Sequence, residues 1–218
     1  MNFTVNNSTQ NSQIISPFYL IFEILMIIIT IPLNISIIII ISIELKKKFF
    51  YSDLLFLFNS IVQLAIGCIS FTFMTKRSIF NEWPQDISLC QFWMINDYSL
   101  FTVNSLTILL ISIHRLEQLI TSNVNEKLSK IRTIKMITVW LMPFLFWGLM
   151  LLPLSNTHIL ENCDYASDIL FISVCEVIML SVPSISVVVL NIFIFFKLKQ
   201  KIEHNKKIGH VGQIGNVI

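Results

Sequence analysis

Four residues of one long apolar stretch carry the chemistry open to this chain: Cys90, Asp97, Asn104 and Arg115. An α-helix turns about 100° per residue, so a step of seven returns almost to the same face, and the eighteen residues from Asp97 to Arg115 make five full turns. The four residues therefore form one polar stripe, about 38 Å long at a rise of about 1.5 Å per residue, the length of a tilted membrane-crossing helix. Ionisable groups in hydrocarbon cost roughly 2.5–3.5 kcal/mol each on insertion scales, so they usually face the bundle interior and mark functional positions. Asp97 lies about two turns below the outer end of its stretch. A carboxylate at that depth calls for a cationic partner, because an isolated buried charge costs several kcal/mol. No Lys or Arg of the chain falls at that depth in any apolar stretch. A small cationic ligand from outside would fill the role, with Trp93 and Tyr98 offering aromatic surface for cation–π contact. Two alternatives stay open. Asp97 could be protonated and hydrogen-bonded to a hydroxyl or amide, and Tyr98, about 100° round the helix, could contact a neighbouring helix instead.

Two further acids are embedded. Glu176 stands seven residues before Pro183, a helix-kinking proline, on the same face of its stretch. With Asp97 it could grip the two ends of a dibasic ligand, or it could reach for water at the outer interface. Glu23, near the outer end of the first stretch, reads as interfacial. The cysteines are Cys68, Cys90, Cys163 and Cys175. Cys68 and Cys175 fall inside apolar stretches and read as packing residues. Cys90 and Cys163 both fall on the outer side, where a disulfide is permitted. Closing that loop of about seventy residues would contribute roughly 4 kcal/mol in the chain-entropy model; two separate thiols are the alternative. His114, His158, His204 and His210 are scattered, no Cys/His spacing calls for a metal, and nothing calls for a cofactor.

The elements that must position these groups are membrane helices. Of 218 residues, 55% are hydrophobic and 13% charged, against about 25% charged in soluble domains. A spanning helix needs roughly 20 apolar residues. Five stretches meet that length, at about residues 17–43, 50–72, 88–120, 133–154 and 168–197. Backbone groups in lipid must pair internally, and the stretches do not alternate as β-barrel strands would, so the fold class is an all-α transmembrane bundle spanning about 17–200. Basic residues near span ends favour the cytoplasm. With the N-terminus outside, 13 of the 15 basic residues are cytoplasmic, and the opposite topology would place two there. Residues 1–16 then form an extracellular tail with glycosylation triplets at Asn2, Asn6 and Asn7. Residues 201–218, rich in glycine near the end, read as a disordered cytoplasmic tail. Nothing points to nucleic acid; membrane lipid is the surrounding phase.

The run Cys90-Gln-Phe-Trp-Met-Ile-Asn-Asp97-Tyr98, continuing to Leu110-Ile-Ser-Ile-His-Arg115, resembles the third helix of rhodopsin-like G-protein-coupled receptors, in particular amine receptors of the histamine and muscarinic type. Asn34, Trp83, Trp140, Cys163, Pro183 and Asn191 follow the order of that family's landmarks, so the resemblance covers about residues 15–205. It implies that Asp97 binds a ligand amine, that Cys90 pairs with Cys163, that Arg115 faces a heterotrimeric G protein where a full-length form exists, and that the chain lies in the plasma membrane. It implies no enzyme.

The departures carry expectations of their own. His114-Arg115-Leu116 replaces Asp-Arg-Tyr, removing the acid that restrains the arginine. Gln63 replaces an aspartate of the second helix, so Gln63 and Asn104 are expected to make a neutral amide pair within a polar cluster with Asn34 and Trp140, without a sodium site. Met179 stands where histamine receptors carry an acid, one turn from Glu176. Five spans stand against the family's seven, which predicts a receptor truncated after its fifth helix. The other reading is a non-signalling five-helix remnant that associates with other receptor chains. A transporter would show repeats and broken-helix pairs, and none appear.

Overall fold

In the computed structural model, described for residues 17–47, 50–80, 87–121, 130–151 and 170–214, the regular elements are all helical. Helix α1 runs Pro17–Lys47 and opens on a proline, whose missing N–H is one the first turn would leave unbonded anyway. Helix α2 is continuous through Tyr51–Ala65, a π-turn at Ile66–Phe71 and Thr72–Phe80, with right-handed helical backbone at both junctions. Helix α3 is Ile87–Ile120, α4 Lys130–Leu151 and α5 Leu170–Ile214. Five of these segments are long and apolar enough to cross a membrane.

Two boundaries differ from expectation. The second helix does not end near residue 72. The Thr72 hydroxyl donates to the Gly67 carbonyl at 3.2 Å, which occupies a carbonyl within the π-turn, and the helix carries on so that Lys76 and Arg77 sit within it. Within the segment read as a tail, α5 remains helical to Ile214. Its sequence from Lys197 to Lys207 is dominated by Lys, Gln, Glu and Leu, residues that lose little rotamer freedom in a helix.

Helix α3 is central, packing on α2, α4 and α5, while α1 lies chiefly against α2. Three buried clusters stack along it. The outer cluster joins Cys90, Trp93, Met94 and Tyr98 to Trp147, Leu151 and Ile172. The middle joins Leu100 and Val103 to Val62 and Ile66. The inner joins Leu110 and Ile111 to Tyr51, Leu55 and Met136. The polar residues are inside: Asn34, Asp97, Ser99, Thr102, Thr107, Ser112 and His114 are buried, while isoleucines of α1 such as Ile28 and Ile40 are exposed. Lipid imposes no penalty on such a surface, so helix association rests on packing and interhelical hydrogen bonds. The chain is an all-α transmembrane bundle. Gly67 lets α2 come close to α1, since an added Cβ there would sit 3.0 Å from Ile31 Cγ1.

Candidate ligand-binding site

The outer half of α3 is fixed by α4. Trp147, buried to 1% exposure, stacks on the Tyr98 ring with centroids 4.7 Å apart and 27° between planes. Its Nε1 donates to Thr102 Oγ1 at 3.0 Å, and that hydroxyl donates to the Tyr98 carbonyl at 2.8 Å. Ser99 Oγ adds a bond to the Pro143 carbonyl at 3.4 Å. Two successive turns of α3 are thereby locked in rotation, which aims Asp97 away from α4.

Asp97 is 5% exposed and lines a cavity of about 190 Å³ between α1, α2 and α3, with Glu23, Ser70, Phe71 and Phe101 among its walls. On the α5 side, the half-buried Glu176 lies within electrostatic reach of both Asp97 and Tyr98. Trp93 is fully buried in the outer cluster, and one face of Tyr98 is taken by Trp147. The aromatic surface near Asp97 is thus supplied by Phe71 and Phe101, whose rings meet edge to face at 6.4 Å. Glu23 corrects its expected interfacial placement: it is 4% exposed, facing the bundle. A larger hollow of about 490 Å³ between α2 and α4 is lined by Leu54, Phe58, Met136, Trp140 and other apolar groups. An ammonium would find no anionic acceptor there.

Below the cavity lies an amide layer arranged differently from expectation. Asn34 Nδ2 donates to the Thr30 carbonyl at 2.8 Å and to Gln63 Oε1 at 3.4 Å. The amide pair formed is therefore Asn34–Gln63, and Asn104 Oδ1 is buried without a hydrogen bond among the described residues. Trp140 packs edge-on against Phe58 at 5.4 Å instead of joining the amides. At the cytoplasmic end Arg115 is exposed, its guanidinium 5.4 Å over the Phe56 ring. His114 turns inward to 3% exposure and meets Tyr51 edge-on at 4.9 Å, while Arg132 caps Tyr51 from 5.0 Å. Glu117 bridges, 3.9 Å from His114 Nδ1 and 3.8 Å from Lys135 Nζ. The arginine next to His114 thus rests on an aromatic ring.

Cys90 is disulfide-bonded, and Cys68 and Cys175 are free thiols. Cys163, Trp83, Asn2, Asn6 and Asn7 lie outside the described residues. Pro183 is buried within the unbroken α5. The sequence pattern held unread signals for two residues. Glu23 precedes Asn34 by eleven residues, three turns plus about 20°, and so shares its inward face; Trp147 follows Trp140 by two turns.

No family model matches the chain. Over 170 residues it is 26% identical to the histamine H4 receptor of Mus musculus, covering 74% of this chain and 43% of that protein. Over 172 residues it is 26% identical to the histamine H4 receptor of Rattus norvegicus, covering 75% and 44%. A segment of 76 residues is 32% identical to the muscarinic acetylcholine receptor gar-3 of Caenorhabditis elegans, covering 34% of this chain and 12% of that one. The match spans less than half the length of these curated relatives. All three are receptors and none is an enzyme. With five apolar helices around a buried carboxylate, the chain is a multi-pass plasma-membrane protein similar to amine-type G-protein-coupled receptors.

Proposed function

We propose that this chain forms the amine-recognising part of a G-protein-coupled receptor, with Asp97 as the carboxylate that receives the ligand's ammonium. The observation that carries the proposal is the burial of Asp97 on the outer half of α3, at the wall of a cavity and within electrostatic reach of Glu176. A protonated amine entering from outside would neutralise that charge in a low-dielectric site, where the interaction is far stronger than in water. Trp93 and Tyr98 back the site from the α4 side, and Glu176 would take a second polar group of the ligand. Arg115 would serve G-protein contact, and release from Phe56 would be its activating movement. Cys90, through Cys163, would tether the outer loop over the site, and Pro183 would let α5 adjust around the ligand. Asn2, Asn6 and Asn7 would carry glycans.

Asp97→Asn tests this directly. Removing one member of a buried ion pair costs roughly 3–5 kcal/mol, which is more than a hundredfold in affinity. Radiolabelled histamine and acetylcholine, applied to membranes containing the chain, should lose binding by that factor while surface expression is unchanged. Equal affinity in wild type and Asp97→Asn would refute the role.

A further inference from the structure

We propose that the cavity between α1, α2 and α3 is a second cation subsite, in which Glu23 and Ser70 receive the distal ammonium of a diamine whose proximal ammonium sits on Asp97. The inference rests on the amine-receptor reading and extends it to a ligand with two positive charges.

Three side chains of different helices converge on this space: Glu23 from α1, Ser70 from α2 and Asp97 from α3. Glu23 is 4% exposed and Ser70 1%. Among the described residues, no hydrogen bond of good geometry reaches either Glu23 carboxylate oxygen or Ser70 Oγ; the Ser78 hydroxyl is the polar neighbour of Glu23. Buried polar groups are ordinarily paired, and one left alone costs about 1–3 kcal/mol. A carboxylate and a hydroxyl at one cavity wall make an acceptor set that suits a primary ammonium, which brings three N–H donors and one positive charge. Two carboxylates at one cavity offer each ammonium of a diamine its own acceptor.

The dimensions limit the ligand. A sphere of about 190 Å³ is about 7 Å across, so a chain of roughly three to five methylenes places both nitrogens within it. The remaining walls, including Met26, Phe71 and Met74, are apolar and suit such a linker. Glu176 lies on the α5 side of Asp97 instead, so substitution separates the two acids.

The test compares 1,4-diaminobutane with butylamine, measured by displacement of a fluorescent amine from the full chain in lipid nanodiscs. Glu23→Gln should weaken diaminobutane tenfold or more and butylamine by a clearly smaller factor, with surface expression and the far-ultraviolet circular dichroism spectrum reporting that the variant is folded. Ser70→Ala should shift the same ratio by a smaller factor, and Glu23→Asp should restore part of it. Asp97→Asn should weaken both amines. A diamine-to-monoamine ratio unchanged by Glu23→Gln, or moved only by Glu176→Gln, overturns the subsite while leaving the receptor reading standing. Failure of the wild-type chain to bind either amine overturns both.

Discussion

Replacing Trp147 separates the hydrogen bond that orients α3 from the packing that surrounds it. In Trp147→Phe the ring keeps its place over Tyr98 and its edge contact with Phe146, 5.2 Å away at 80°. The bond to Thr102 Oγ1 is lost together with three ring atoms of packing, and that hydroxyl is not orphaned, because its proton still reaches the Tyr98 carbonyl. Interhelical hydrogen bonds in membrane proteins average about 0.6 kcal/mol and reach about 1.7, so Trp147→Phe should cost about 0.5–1 kcal/mol. Trp147→Ala removes the stack and the edge contact as well, each worth roughly 0.5–1.5 kcal/mol, and leaves a hole at a site of 1% exposure. Its cost should be about 3–5 kcal/mol. Thr102→Val supplies the discriminating comparison. It strands the indole N–H in the interior, a loss of about 1–3 kcal/mol, and so should exceed Trp147→Phe although it removes fewer atoms. The free energies follow from reversible detergent-induced unfolding in bicelles, monitored by far-ultraviolet circular dichroism. A Trp147→Phe cost equal to that of Trp147→Ala, or a Thr102→Val cost below that of Trp147→Phe, would refute the assignment of the bond as the orienting element.

Two other substitutions probe the α1–α2 contact by the same unfolding measurement. Gly67→Ala places a methyl 3.0 Å from Ile31 Cγ1 and should destabilise by about 1–3 kcal/mol as an overpacked site. Adding Ile31→Ala should recover most of that loss, and a double variant as unstable as Gly67→Ala alone would discredit the steric cause. Asn34→Ala and Gln63→Leu should each cost about 1 kcal/mol and be non-additive, since they share one bond; strict additivity would show that the amides do not interact.

The membrane class and the spans were legible because composition and run length alone decide them, and lipid leaves the backbone few other solutions. The central place of α3 was legible for a related reason: Asp97, Asn104 and Arg115 repeat on one face, and charge in hydrocarbon must turn inward. What stayed hidden depended on relations between helices. The π-turn at Ile66–Phe71 leaves no periodic mark in a run that is apolar on every side. Gln63 could pair with Asn104 or Asn34, and which amide it meets depends on how α1 approaches at Gly67. Tyr98 could face a ligand or a helix, and the deciding residue, Trp147, lies about fifty positions away in sequence. Position along the stretch fixes the depth of Glu23 but not the face it takes, and the face it shares with Asn34 points inward.

The depth order of polar groups constrains the site more than any one residue does. By the charge placement that sets the topology, the outer third of the bundle holds the acids Glu23, Asp97 and Glu176, with Lys76 and Arg77 in the last turns of α2. The middle holds the neutral amides Asn34, Gln63 and Asn104, and the inner end holds Arg115, Arg132 and Lys135. A cation that reaches the level of Asp97 meets buried carboxylate in low-dielectric surroundings, where the attraction is stronger than in water. Beyond that level lie the amides, which carry no net charge. On the proposed reading a cationic ligand would rest at the level of Asp97, above the uncharged amides, and an uncharged analogue of the same shape should bind more weakly by the loss of that charge pair.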